Sequence, residues 1–231
     1  MHTTTLGIDV AKNVFQLHGV DARGRAVLSR RVKRQQLLDT VANLPACVIG
    51  LEASGSAQHR GRAFEQLGHT VKLMHPKYVK PYVKTNKNDG RDAEAICEAV
   101  SRPTMRCVSI KTVEQADMQA LHRTRSLCMK HRTAAINQIR DLLAEYGLVI
   151  AQSLEKVRPA VGRFLDDAAS GLTAFTRDTF SELSEQLKEL YAPIKRVTHR
   201  ITRVYRTHPV CQKLAAVHIG ATRIHAFPAA G

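Results

Sequence analysis

Four carboxylates in this chain stand where they could share a cation. Asp89 and Asp92 lie three apart in KTNKNDGRDAEAI (84–96), where Asn88 and Asp89 ahead of Ala, Glu, Ala and Ile mark a helix start. At about 100° per residue the two aspartates fall roughly 60° apart on one helical face. Taken alone, the pair reads more readily as a cap and a complement to the helix dipole. Two further acids change the weighting. Asp9 stands near the end of TLGIDV (5–10), and Glu52 near the end of CVIGLEA (47–53). An acid at the end of an otherwise buried strand is costly unless solvated or paired, so two of them on strands able to be neighbours suggest a site. Hard oxygen donors of this kind suit Mg²⁺ or Mn²⁺, and two such ions about 4 Å apart can activate the attacking oxygen and stabilise the leaving one in phosphodiester chemistry.

Just before the paired aspartates, HPKYVKPYVKTNK supplies Lys77, Lys80, Lys84 and Lys87, interleaved with Tyr78 and Tyr82. Lysines neutralise phosphates and tyrosines stack on bases, which makes this a candidate nucleic-acid surface; a solvated loop with two core-facing tyrosines is the competing reading. Lys12, three residues after Asp9, and Arg91, between the two aspartates, join Lys77, Tyr78, Lys80, Lys84 and Lys87 in the nucleic-acid-binding set.

Composition agrees with that partner. Lys plus Arg number 35 against 20 Asp plus Glu, a net charge of +15 with a pI near 10.0, and a field of that sign recruits polyanions. A hydrophobic content of 44% is too high for a disordered basic tail. No window is apolar over the length a membrane span needs, and MHTTTLGIDV lacks the pattern of a signal peptide, so the expected location is the cytoplasm, with no membrane partner. Five cysteines without a CxxC pair, and histidines without an HExxH motif, argue against structural zinc and a disulfide framework.

The elements that must position these residues follow from periodicity. Runs 5–10, 14–20 and 26–32 are β-rich and separated by short turns, as in an antiparallel meander. A helix near 33–43, a strand at 47–53, a helix at 56–68, a strand at 70–75, a basic loop and the helix of the paired aspartates come next. The expected fold is α/β, a mixed sheet flanked by helices over residues 1–105. Residues 106–149 read as a long basic helix, 150–177 as a helical linker, and 178–207 as a second long helix. In that second helix Phe180, Leu183, Leu187, Leu190, Ile194, Val197, Ile201 and Val204 repeat at heptad spacing. Such a seam serves either a coiled coil between copies or packing within the chain's own domain; Pro193 lies inside it.

GIDVAK, GLEASG and KTNKNDGRDAEAI together resemble the three acidic motifs of the DEDD transposases of insertion-sequence family 110, including its 1111 branch, and the resemblance covers roughly residues 4 to 206. It implies an RNase H-like, Holliday-junction-resolvase-like domain in which Asp9, Glu52, Asp89 and Asp92 take the positions of the catalytic, metal-binding tetrad. It also implies DNA as substrate, a structured RNA encoded by the element as guide, and homo-oligomerisation through the long helices. The family continues into a C-terminal domain carrying a catalytic serine, whereas residues 208–231 read as a remnant of such a domain, so this chain is expected to be incomplete for recombination. A stand-alone nuclease or junction resolvase, and an inactive nucleic-acid-binding remnant, are the rival functions. An actin-like sugar kinase is disfavoured because Val10, Ala11 and Lys12 replace the glycine-rich phosphate turn it needs. Ser54 and Ser56 have no GxSxG elbow around them and read as part of a capped strand-to-helix turn.

Overall fold

The structure is a computed structural model that describes residues 2–10, 13–83, 89–151 and 153–216, without the side chains of Asp89 and residues 214–216. The chain forms two compact units, Met1–Val113 and Glu114–Gly231.

The first unit is built on one six-stranded mixed sheet. Its strands are β1 (Thr5–Asp9), β2 (Val14–Val20), β3 (Ala26–Lys33), β4 (Val48–Glu52), β5 (Thr70–Met74) and β6 (Cys107–Val108), in the spatial order β3-β2-β1-β4-β5-β6. The first three are the expected meander, each antiparallel to the next. β4 then pairs parallel to β1, and β5 parallel to β4, because helical crossovers return the chain to the same end of the sheet. The edge strand β6, antiparallel to β5, is an addition that the sequence reading assigned to the start of the long helix.

Helices cover both faces of this sheet. On one side Leu6 and Ile8 of β1 and Ile49 and Leu51 of β4 are fully buried with Leu37 and Val41 of α1 (Leu37–Ala42) and Phe64 of α2 (Ala57–Gln66). The other side receives α4 (Asp89–Ser101), whose Ile96, Ala99 and Val100 are buried with Met74 and with Val79 of the short helix α3 (Pro76–Val79). Strand alternation decides which residues meet α4. With Leu6 and Ile8 turned away, Gly7 and Asp9 share the α4 face of β1, and by the same rule Gly50 and Glu52 share it on β4.

The second unit is a helical hairpin with a third helix against it. The two long helices are α5 (Val113–Ala144) and α7 (Ala174–Thr207), with α6 (Val157–Asp166) between them and α8 (Pro209–Ala216) after them. Their mutual contacts run antiparallel. Arg125 Nε donates to Thr198 Oγ1 at 3.0 Å, the Arg132 guanidinium lies 5.6 Å from the centre of the Tyr191 ring, and Tyr146 meets Phe180 edge-on at 6.3 Å. The heptad seam of α7 is therefore the inner face of an intramolecular pair: Phe180 and Leu187 are buried with Ile136, Ile139 and Leu143 of α5 and Val157 and Val161 of α6. Of the two uses open to that seam, packing within the chain is the one the structure shows. Pro193 is accommodated inside an uninterrupted α7. No helix among the described residues is long and apolar enough to cross a membrane.

Candidate active site

Two glycines set the geometry of the site. A Cβ on Gly7 would come within 2.2 Å of the Ala93 carbonyl oxygen and 2.5 Å of the Cys97 nitrogen, and one on Gly50 within 2.9 Å of Val100 Cβ. The backbone of α4 thus lies directly on β1, and the side chains of its Val100 and Ile96 lie against β4 at Gly50. The buried thiol of Cys97 is 3.7 Å from the carbonyl oxygen of Thr5, so α4 runs antiparallel to β1, with residue 97 over its start and residue 93 over its middle. Helix and strand then advance in step. From Gly7 to Asp9 is about 6.6 Å of strand, and a turn of four residues back from Ala93 or Ile96 is about 6 Å. That turn leads to the first residues of α4, and Asp92 stands four residues before Ile96.

The register brings the strand acids together as well. Gly7 is paired with Gly50 and Ile8 with Leu51, so Asp9 and Glu52 come one rung further along neighbouring parallel strands, on the same face. Adjacent strands are about 4.8 Å apart. Asp9 and Glu52 are both half-buried, as is Asp92. Asp89 opens α4, but its side chain lies outside the described residues. Among the described residues no three His, Cys, Asp or Glu side chains are gathered as a metal-holding group. Asp9, Glu52 and Asp92 stand on three neighbouring elements and do not form such a group by themselves.

The signal for this arrangement lies in the sequence: each strand acid is preceded at the second position by glycine, in Gly7-Ile8-Asp9 and Gly50-Leu51-Glu52. The same triplet on two parallel strands makes one shelf for one helix. The turn after Glu52 has a second feature that the sequence hid. Ser56 precedes α2 at the capping position, yet its side chain makes no capping hydrogen bond and its backbone adopts the left-handed conformation at φ 58°. The expectation of a capped turn is corrected accordingly, and a non-glycine residue held there marks a strained turn beside an acid of the site.

The basic segment follows directly from the same end of the sheet. β1, β4 and β5 are parallel, so their last residues, Asp9, Glu52 and Met74, share one end, where ligand crevices form in sheets of this kind. There His75 caps α3, its Nδ1 accepting from the Lys77 N–H at 3.1 Å. Lys77, Tyr78 and Lys80 are exposed, whereas Tyr82 is half-buried with the Arg102 guanidinium 5.8 Å from its ring centre. Tyr78 is thus at the surface, with the Lys77 ammonium 5.9 Å from its ring centre and the His75 ring edge-on at 6.2 Å, whereas Tyr82 is engaged inward. Arg91 is half-buried on α4. Lys12, Lys84 and Lys87 lie outside the described residues.

The chain thus carries an acid at the end of each of two neighbouring parallel strands, two more near the start of a helix, and a basic segment at the same end of the sheet. Comparison with known sequences gives the family. The profile described as transposase, DEDD type of insertion-sequence family 110, matches residues 6–148, and the chain belongs to that family. It is 42% identical over 221 residues to the probable family 20 transposase of Pseudomonas aeruginosa, covering 94% of this chain and 64% of that protein. It is 42% identical over 212 residues to the transposase for insertion sequence element IS1111A of Coxiella burnetii, covering 92% and 58%. With the transposase for insertion sequence element IS1328 of Yersinia enterocolitica it shares 41% identity over 157 residues, 68% of this chain and 47% of that one. The chain spans less than two thirds of the length of each of these relatives.

Proposed function

We propose that the first unit is the acidic, metal-dependent half of a DNA transposase, acting on phosphodiester bonds through Asp9, Glu52, Asp89 and Asp92. The observation that carries this reading is the shared shelf of Gly7 and Gly50. It seats residues 93–100 of α4 on the sheet face that Asp9 and Glu52 share by strand alternation, which supports a first turn of α4 directed toward the two strand acids. The mixed sheet with its antiparallel meander and parallel additions is compatible with an RNase H-like domain.

Four carboxylates in this space repel one another unless a cation neutralises them, and an all-oxygen donor set fits Mg²⁺ or Mn²⁺. When bound, such an ion would polarise a phosphoryl oxygen and raise the acidity of an attacking hydroxyl or water. The chain's own contribution is to hold the acids on rigid elements, two on strands and two on a helix locked to them, so that little reorganisation is needed. Lys77 and Lys80 would hold the phosphates that flank the scissile bond, and Tyr78 offers a ring to an unstacked base. A structured RNA partner, encoded by the element, and self-association belong to the same proposal; the remaining exposed flanks of α5 and α7 are the surfaces open to a second copy.

The test is the melting temperature of the first unit against Mg²⁺ and Mn²⁺, for the wild type and for Asp9→Asn combined with Asp92→Asn. The wild type should gain stability with metal and the variant should not. Equal gains in both would refute the assignment.

A further inference from the structure

Outside the acid site, the strongest concentration of one charge is on the second half of α7. After Glu189 the described chain contains no Asp or Glu, while Lys195, Arg196, His199, Arg200, Arg203 and Arg206 follow within three turns. The first half of the same helix is balanced the other way, with Asp178, Glu182, Glu185 and Glu189 against Arg177 and Lys188. At about 100° per residue the six basic side chains fall between about 100° and 240° from Ile194, opposite the face that packs on α5. All six are exposed, and among the described residues none pairs with a carboxylate. The adjoining length of α5 offers no relief, since it carries no Asp or Glu between Asp117 and Asp141 while exposing His122, Arg123, Lys130 and His131. Cations in the last turn would satisfy the helix dipole, but that effect ends within one turn and leaves most of this stripe unexplained. Arg196 and Arg200, and Arg200 and Arg203, are like charges at spacings that oppose helix formation.

We propose that the outward face of α7 from Lys195 to Arg206 is a docking surface for the phosphate backbone of duplex DNA. The inference rests on the reading of this chain as a protein that acts on DNA. The stripe spans about 16 Å at 1.5 Å per residue, and a duplex presents roughly one charge per 1.7 Å of axis, so every cation can meet a phosphate. Duplex is favoured over single strand because no Phe, Tyr or Trp ring faces outward here: Tyr191 and Tyr205 are both half-buried on the seam side, which leaves only the small His199 ring among six basic groups for an unpaired base to stack on. Contacts to phosphates alone position a duplex without reading its sequence.

The experiment measures affinity of the full chain for a mixed-sequence DNA duplex as a function of salt. It compares the wild type, the stripe variant Lys195→Gln, Arg196→Gln, Arg200→Gln, Arg203→Gln and Arg206→Gln, and a control losing the same charge from exposed positions elsewhere, Arg30→Gln, Arg31→Gln, Lys33→Gln, Arg106→Gln and Lys156→Gln. At about 0.9 per phosphate contact, the slope of log affinity against log salt should flatten by up to about 4.5 in the stripe variant and by less than half as much in the control. Gln keeps helix propensity, so helicity by circular dichroism should hold; the pair Arg200→Gln with Arg203→Gln, expected to flatten the slope by about 1.8, serves if the larger variant does not fold. An unchanged slope in the stripe variant, or equal flattening in the control, overturns the docking surface and leaves the acid-site reading standing. Duplex RNA or single-stranded DNA losing more affinity than duplex DNA overturns the choice of ligand. A wild type that binds no duplex DNA removes the reading beneath it as well.

Discussion

Gly7→Ala is the most informative single change, because it asks whether α4 is seated as described. The added Cβ would lie 2.2 Å from the Ala93 carbonyl oxygen, whereas ordinary contact begins near 3.4 Å, so the helix must lift by about 1.2 Å at that point. Both near atoms, Ala93 O and Cys97 N, belong to the backbone and cannot rotate away. Overpacking of a core costs about 1–3 kcal/mol, and rigid partners put this case at the upper end. Removing a glycine from a strand returns about 0.5–1 kcal/mol, leaving a net loss of about 2 kcal/mol. For a unit of this size that lowers the melting temperature by about 8 °C. Gly50→Ala meets Val100 side-chain atoms at 2.9 and 3.0 Å, which can shift, and should cost about half as much. The same lift moves the first turn of α4 relative to Asp9 and Glu52, and if the proposed function holds, a misplacement of about 1 Å is enough to lower catalysis on the order of 100-fold. Scanning calorimetry of both variants with and without Mg²⁺ gives the measurement. A Gly7→Ala protein that melts within 2 °C of wild type (~0.5 kcal/mol on the same scale) and keeps its response to metal would show that the glycine shelf does not hold the helix.

Leu187→Ala should cost about 2–5 kcal/mol in chemical unfolding of the second unit, since Leu187 is fully buried between α5, α6 and α7, and Leu190→Ala, half-buried, should cost clearly less. Asp21 accepts the backbone N–H groups of Arg23 and Arg25 at 2.9 Å, and its carboxyl is held below the usual range chiefly by the Arg25 N–H. Its contribution is therefore complete above about pH 4 and fades as pH falls through the lower folded value, so Asp21→Asn should melt below wild type at pH 7, with the gap closing under acid. The Cys97 thiol is buried and pushed up to about 11 by loss of solvent, whereas Cys107 is exposed. Alkylation of the native protein at pH 8, read by mass spectrometry, should label Cys107 and spare Cys97.

Strands β1 to β5 were legible because each is a short apolar run bounded by turn residues, and the long helices because apolar positions recur at three and four over many turns. β6 is two exposed residues with no alternation to reveal it. α6 contains Pro159 and Gly162 within ten residues, which conceals its period. The four acids could be named from local context. Which face of β1 and β4 they share with α4 could not, because that depends on the match between a glycine on one element and the backbone of another, a relation between segments nearly ninety residues apart. The heptad seam shows the same limit. Its pattern states that a stripe must be covered, and only Arg125, Arg132 and Tyr146 meeting their partners on α7 say by what.

The seating of α4 also fixes when in folding the site can exist. The pairing of Ile8 with Leu51 closes a loop of more than forty residues, and the contact of Cys97 with Thr5 spans 92. Closures of that length are entropically costly and come late, while the β1-β2-β3 meander can form from near neighbours. The acids are thus assembled by the last steps of the unit rather than by its nucleus. A nascent chain holds no complete acid set until α4 has been made and docked. Because α4 has no covalent tie to the strands beside it, a local opening that lifts it would take Asp92 away from Asp9 and Glu52, and with it the proposed site, while the sheet remains intact. Hydrogen exchange in α4 relative to β1 would therefore report directly on how often the site comes apart.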